Sequence, residues 1–404
     1  MTVEQVEVFV FKFAHHYRVA GTDASPGRLP GTDYYREPQW KHAYSRGTET
    51  CLVKLTTDSG LTGWGESQAP LLPRAPAAVL TDLLGPATLG QDPLRTAVVH
   101  DALTHLMHAR GHTGSFLYDA LAGIDTALWD LKGKLLDQPI CELLGGSFRP
   151  ELQCYMSGLR EPTLDGRIAA ARDAIAHGYA GVKIFTGEGL EAASAEVEAV
   201  ADVIGRGRFF AVDLICGYQL SAALHLGRML DERRAAWLEA PLGPQDVSGH
   251  ARLASALATP IAVGEVLRSV EEFLPWFEQR AIGVAQPDVT RSGVTEARRI
   301  AEIAQAFRVP TALHVGVCTG IGMAATWQVA AALPDFCIQE HQPKMMPAAN
   351  RVVREPLTES KGFLYTPAGP GLGIAVDEDA VLDNAAEHWL VTRAGKTLKQ
   401  EKRI

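Results

Sequence analysis

FFAVDLICGYQLSAALHLGRMLDERRAAWLEAPLGPQDVSGHARLASALATPIAVGE (209–265) repeats one structural unit. Three short apolar runs, Phe209–Asp213, Ala236–Glu239 and Pro260–Glu265, each end on an acid. Between them lie polar loops and the helical stretches Ala222–Glu232 and Ser248–Ala256. Runs this short, bounded by loops, read as buried strands, and strand–helix alternation implies parallel pairing.

The same unit extends both ways. Upstream are Leu152–Ser157 and Gly181–Phe185; downstream are Gly283–Asp288, Pro310–His314 and Phe336–Glu340. Helical patterns at Leu164–His177, Leu190–Gly205, Val270–Gln279, Val294–Phe307 and Ile321–Ala332 fill the remaining gaps. Eight such strands alternating with helices predict an α/β chain with a closed parallel barrel. The first part differs. Val6–Phe13 reads as a strand, Glu49–Thr56 and Leu61–Glu66 as a hairpin about Asp58-Ser59-Gly60, and Gly21–Gly31 as a loop. Leu121, Ile124, Leu128, Leu131 and Leu135 share one helix face. The tail returns to hairpin texture, with Gly362–Tyr365 and Gly371–Val376 about a Pro/Gly turn. The expected organisation is an N-terminal α+β unit (1–135), a barrel (136–355) and a tail (356–404) that packs back on the first unit.

Bulk properties narrow the function. With 404 residues, 47% hydrophobic and 21% charged, the chain has ample material for a core. A net charge of −9 argues against a nucleic-acid partner, which needs a basic face, and against attraction to anionic membranes. No apolar run approaches the ~20 residues of a membrane span. Met1–Phe11 lacks the features of a signal peptide. The six cysteines are scattered without CxxC spacing, as expected of reduced thiols in a cytoplasmic protein.

Asp213, Glu239, Glu265, Asp288, His314 and Glu340 each close a strand, at steps of 26, 26, 23, 26 and 26 residues, and Lys183 sits near the end of the strand before them. Singly, such an acid is most often a helix cap or a surface ion-pair partner, and such a His a satisfied core residue. Together they gather at the C-terminal rim, where barrels of this kind build active sites. The carboxylates of Asp213, Glu239 and Glu265 suit a hard divalent cation, Mg²⁺ best, and no HxH or HExxH suggests zinc. Asp288 and His314, on consecutive strands, can form an oriented base. Lys183 is expected across the rim, where it can neutralise a substrate carboxylate.

TDSGLTGWGE (57–66), ALAGIDTALWDLKGK (120–134), GYAGVKI (178–184), AVDLICGY (211–218), WLEAPLGP (237–244), PIAVGE (260–265), AQPDVTRSG (285–293), LHVG (313–316) and PGLG (370–373) follow one another in order. The sequence so marked resembles the enolase superfamily, in its mandelate racemase/muconate lactonizing enzyme branch. The resemblance implies a modified (β/α)7β barrel of TIM type under an α+β capping domain, and abstraction of the proton α to a carboxylate with Mg²⁺ stabilising the enediolate. It implies Asp213, Glu239 and Glu265 as metal ligands, Asp288 and His314 as the catalytic dyad, and Glu340 as an acid that hydrogen-bonds the substrate carboxylate. An even-numbered homo-oligomer is a family expectation.

Two departures matter. Many relatives carry Lys-x-Lys on the second barrel strand, whereas here Lys183 is followed at the second position by Phe185, which transfers no proton. Ile215 stands where relatives often have Asn. One base disfavours two-base racemisation but suffices for syn β-elimination, in which His314 takes the α-proton and then protonates the departing hydroxyl. The expected reaction is dehydration of a small-molecule carboxylate, an acid sugar, to a 2-keto-3-deoxy acid; Glu340 and His341 are alternative proton donors. A cycloisomerase or epimerase using the same enediolate, and a non-catalytic binding relative, are the alternatives. His15, Tyr17, Arg18, Tyr44 and Arg46 are the candidate substrate-binding residues of the capping domain, with Arg110 and His112 beyond them.

Overall fold

The computed structural model describes residues 1–14, 27–36, 42–45, 47–159, 161–186 and 189–402. A five-stranded antiparallel sheet opens the chain, in the order Gly395–Glu401, Ala385–Thr392, Val3–Ala14, Gly47–Thr57, Thr62–Ser67. Val6 pairs with Leu55 and with Val391, so the tail supplies two strands of the N-terminal sheet. The hairpin forms with Cys51 opposite Ser67 and Leu55 opposite Gly63.

The helix Phe116–Leu136 covers this sheet, burying Leu121, Ile124, Leu128 and Leu131. Contact is close because Gly63 and Gly65 carry no side chain. A Cβ on Gly63 would stand 2.4 Å from the Ala127 carbonyl oxygen, and one on Gly65 2.0 Å from that of Gly123. Asp130 of the same helix accepts from Trp64 N at 2.9 Å and Leu372 N at 2.9 Å, tying sheet, helix and tail together.

The barrel strands are Glu151–Ser157, Gly181–Phe185, Phe209–Asp213, Trp237–Glu239, Ile261–Val263, Val284–Ala285, the segment 310–314 and Gln339–His341. All neighbours are parallel. Closure runs through the bridges Ala285–Thr311, Asp288–His314 and Thr311–Phe336, and through Glu340–Tyr155. In the seventh segment Pro310 O accepts from Ala285 N and Ala312 N donates to Ala285 O, but the pairing stays at isolated bridges and forms no continuous ladder.

Side chains alternate along each strand. Tyr155, Ala211, Trp237, Ala262, Val284, Ala312 and Ile338, from six of the barrel strands and the residue just before the eighth, form one cluster that fills the barrel interior. The larger cluster outside includes Val182, Val212, Leu238 and Ile261, packed against the helices. Two residues beyond Ala211, Trp237, Ala312 and Ile338 come Asp213, Glu239, His314 and Glu340. The same parity that buries the interior cluster therefore aims these groups into the mouth.

The tail divides. Phe363–Tyr365 pairs with Glu359–Ser360 and with the first barrel strand, and only Ala385–Glu401 joins the capping sheet. Gly371–Val376 does not pair with Gly362–Tyr365; Gly371 instead bonds Gln138 and Ile140 beside the long capping helix. Among the described residues, no helix is long and apolar enough to cross a membrane.

Candidate active site

Nδ1 of His314 lies 2.7 Å from Oδ2 of Asp288. The other Asp288 oxygen accepts from Thr290 N at 2.8 Å and Thr290 Oγ1 at 2.5 Å, so the carboxylate is fixed from both sides. With Nδ1 committed to Asp288, Nε2 of His314 is the nitrogen left for other partners. It stands 2.8 Å from Glu265 and 4.0 Å from Glu340. Burial would lower the pKa of His314, but the charges of Glu265 and Glu340 and the Asp288 hydrogen bond win and hold it well above its ordinary value. Asp288 and Glu340 are correspondingly lowered, against their own burial, by His314 for the first and by Lys183 and His314 for the second.

Lys183 does not reach across an open rim. It is 1% exposed, is absent from the lining of the cavity, bonds Glu239, and lies 3.1 Å from Glu340 and 4.0 Å from Asp213. Burial disfavours its charge, yet the charges of Glu239 and Glu340 raise its pKa well above the ordinary value. Glu239 also accepts from Trp237 Nε1 and Gln286 Nε2, each at 2.8 Å. Glu340 accepts from Ser157 Oγ at 2.5 Å and Val315 N at 3.0 Å.

Among the described residues, Asp213, Glu239, Glu265, Asp288 and Glu340 thus face only Lys183 and His314 in direct ion pairs. The surplus shows at Asp213, whose carboxyl is pushed well above its usual range by burial and by the charge of Glu239. As the side chains stand, no three His, Cys, Asp or Glu among the described residues form a metal-holding group; Glu239 bonds Lys183, and Glu265 lies 2.8 Å from His314. The donor chemistry nonetheless fits a hard cation: oxygen ligands on successive strands with excess negative charge.

A cavity of about 230 Å³ opens over these groups, lined by Asp213, Glu265, His314 and Glu340. The capping domain contributes Tyr44, Ser45, Gln68, Pro70 and Leu71. His15, Tyr17, Arg18 and Arg46 lie outside the described residues. Arg110 and His112 are exposed and do not line the cavity. Reading the sequence missed Ser157, Gln342, Arg291 and Gln68. Ser157 and Gln342 share the inward parity of Tyr155 and Glu340 and were within reach of a period-two count. Arg291, which donates to Gln68 across the domain boundary, gave no such signal.

Residues 167–380 match the family described as enolase C-terminal domain-like, and residues 35–145 the mandelate racemase / muconate lactonizing enzyme N-terminal domain. The chain is 32% identical to a D-galactarolactone cycloisomerase of Agrobacterium fabrum, over 82% of this chain and 90% of that one. It is 30% identical to a D-galactonate dehydratase of Ralstonia pickettii, over 88% and 94%. A solved structure of an enolase superfamily member from Agrobacterium tumefaciens superposes with a TM-score of 0.90 at 30% identity, covering 95% and 99%.

Proposed function

The chain belongs to the mandelate racemase/muconate lactonizing enzyme family of the enolase superfamily, and on that footing we propose that it is a sugar-acid dehydratase that uses one base, His314. The carrying observation is the pairing of a His314–Asp288 dyad with two opposing side chains, Phe185 and Ile215, that are not bases. In a closed barrel of eight strands, the third lies opposite the seventh. Ile215, just past the third strand, and Phe185, at the end of the second, line the cavity across from His314. Neither can transfer a proton. Sugar-acid relatives at about this similarity support the substrate class.

The chemistry then runs on one face. Nε2 of His314 takes the proton from Cα, because Nδ1 is held by Asp288. The C–H electrons pass into the carboxylate to give an enediolate, then return to form the Cα–Cβ double bond as the Cβ–O bond breaks, and the imidazolium gives its proton to the departing hydroxyl, which leaves as water. The enol product tautomerises to a 2-keto-3-deoxy acid. Mg²⁺, held by Asp213, Glu239 and Glu265 when bound, would stabilise the negative charge of the enediolate. With Glu265 turned to the metal instead, His314 would lose one of the charges that raise its pKa, which would favour the neutral form a base requires. Lys183 keeps Glu340 ionised and fixed, and Ser157 and Val315 orient it at the cavity.

Incubating aldonic and aldaric acids with enzyme and Mg²⁺ should yield keto acid from at least one, and none with His314→Asn. Absence of keto acid across a broad panel counts against dehydration. A cycloisomerase is the second reading, favoured by the apolar wall and by the cycloisomerase relative. It would give a product of unchanged mass, where dehydration loses water.

A further inference from the structure

Ile215 and Cys216 have φ values of 50° and 54°. The left-handed region suits Gly and Asn, and a β-branched residue in it is an outlier. The conformation is held on several sides. Ile215 N donates to Asp213 Oδ1 at 2.7 Å, Cys216 N to the Ala240 carbonyl at 2.7 Å, and Gly217 N to the Leu214 carbonyl at 2.9 Å. From the capping domain, Nε2 of His42 lies 3.2 Å from the Ile215 carbonyl oxygen. A strained residue fixed this firmly, with its side chain on the cavity, points to use of that side chain.

The cavity is two-sided. Of its described polar lining, Arg291, His314, Glu340 and Gln342 lie at the ends of the sixth to eighth strands, Asp213 and Glu265 at the ends of the third and fifth, and Tyr44, Ser45 and Gln68 in the capping domain. Opposite, around Asp213, stand Phe185 and Ile215. A hydroxyl driven against these two side chains would lose its water and gain no hydrogen bond from either.

We infer that Ile215 and Phe185 form a specificity wall that selects a sugar acid with a hydroxyl-free face beyond Cβ, whether that face arises from ring closure or from a terminal deoxy carbon. The inference rests on the sugar-acid reading and narrows it. Fully hydroxylated open-chain acids are the disfavoured competitors.

Binding tests this apart from turnover. Calorimetry on His314→Asn with Mg²⁺ compares an open-chain aldonate, its terminal deoxy counterpart and a ring-closed sugar acid. At least one of the latter two should bind about tenfold or more tighter than the aldonate, and which one does so identifies the source of the bare face. The preference should collapse in His314→Asn/Ile215→Asn, a change the left-handed backbone accepts without strain. Equal or tighter binding of the open-chain aldonate, a preference unchanged by Ile215→Asn, or binding by none of the three overturns the wall. Keto-acid formation by the wild type is read separately: product formed without the preference sinks the wall alone, and the preference without product sinks dehydration alone.

Discussion

Asp288 and His314 are bridge partners on adjacent parallel segments, and that register sets Asp288 Oδ2 2.7 Å from His314 Nδ1. The dyad is therefore positioned by the barrel itself and not by a mobile loop. Asp288→Asn retains the shape but loses the charge that orients and supports the imidazole. It should lower kcat by about 10²–10⁴-fold with a smaller change in KM, and His314→Asn by at least as much. Steady-state kinetics on the two variants, with circular dichroism to confirm folding, checks this.

The carboxylate surplus gives a metal prediction independent of turnover. Mg²⁺ should raise Tm, because a ligand that binds only the folded state at a hundred times its Kd adds roughly 2.7 kcal/mol. Chelation should reverse the rise and abolish activity. In Asp213→Asn the Mg²⁺-dependent shift should shrink markedly. Scanning calorimetry with and without Mg²⁺ reads both.

Much of this site was legible because parallel strands repeat at a near-constant step, so Asp213, Glu239, His314 and Glu340 fall on one rim by arithmetic and parity. Partner choice was not legible. Lys183 could be placed on the rim, but its burial against Glu239 and Glu340 depends on distances that spacing does not carry. Ile215 illustrates the opposite failure: local propensity argues against a left-handed isoleucine, and only the surrounding hydrogen bonds impose it. Likewise the end of the tail could be assigned to the capping sheet, but pairing of Phe363–Tyr365 with the first barrel strand left no periodic mark.

Glu66 joins the capping sheet to the segment after His314. Fully buried, it accepts from Thr319 N and Oγ1, Gly322 N at 3.0 Å and Thr50 Oγ1 at 2.8 Å. Glu66→Ala orphans several donors at about 1–3 kcal/mol each before relaxation, so a loss of about 3 kcal/mol or more is expected. Glu66→Gln keeps an acceptor and should lose less. Urea unfolding measures both.

Burial pushes the imidazole of His341 down to about 4 from an ordinary 6.5, despite the nearby charges of Glu359 and Glu340. The unfolded chain then binds the extra proton between pH 6.5 and 4, so this group's contribution to stability is complete above pH 6.5 and falls as pH drops through that window. At about 1.4 kcal/mol per unit, the loss is roughly 3 kcal/mol. His341→Gln should flatten the decline between pH 6.5 and 4 in denaturant unfolding; an unchanged slope would assign it to other groups.

One-faced proton transfer by His314 is most directly tested by running the reaction in D₂O on whichever acid sugar is turned over, and examining both product and recovered substrate by NMR. Keto-acid product is expected, with recovered substrate that keeps its α configuration even where deuterium has entered, and neither product nor exchange with His314→Asn. Appearance of the α-epimer, or exchange that survives His314→Asn, would contradict one-faced transfer by requiring a second base.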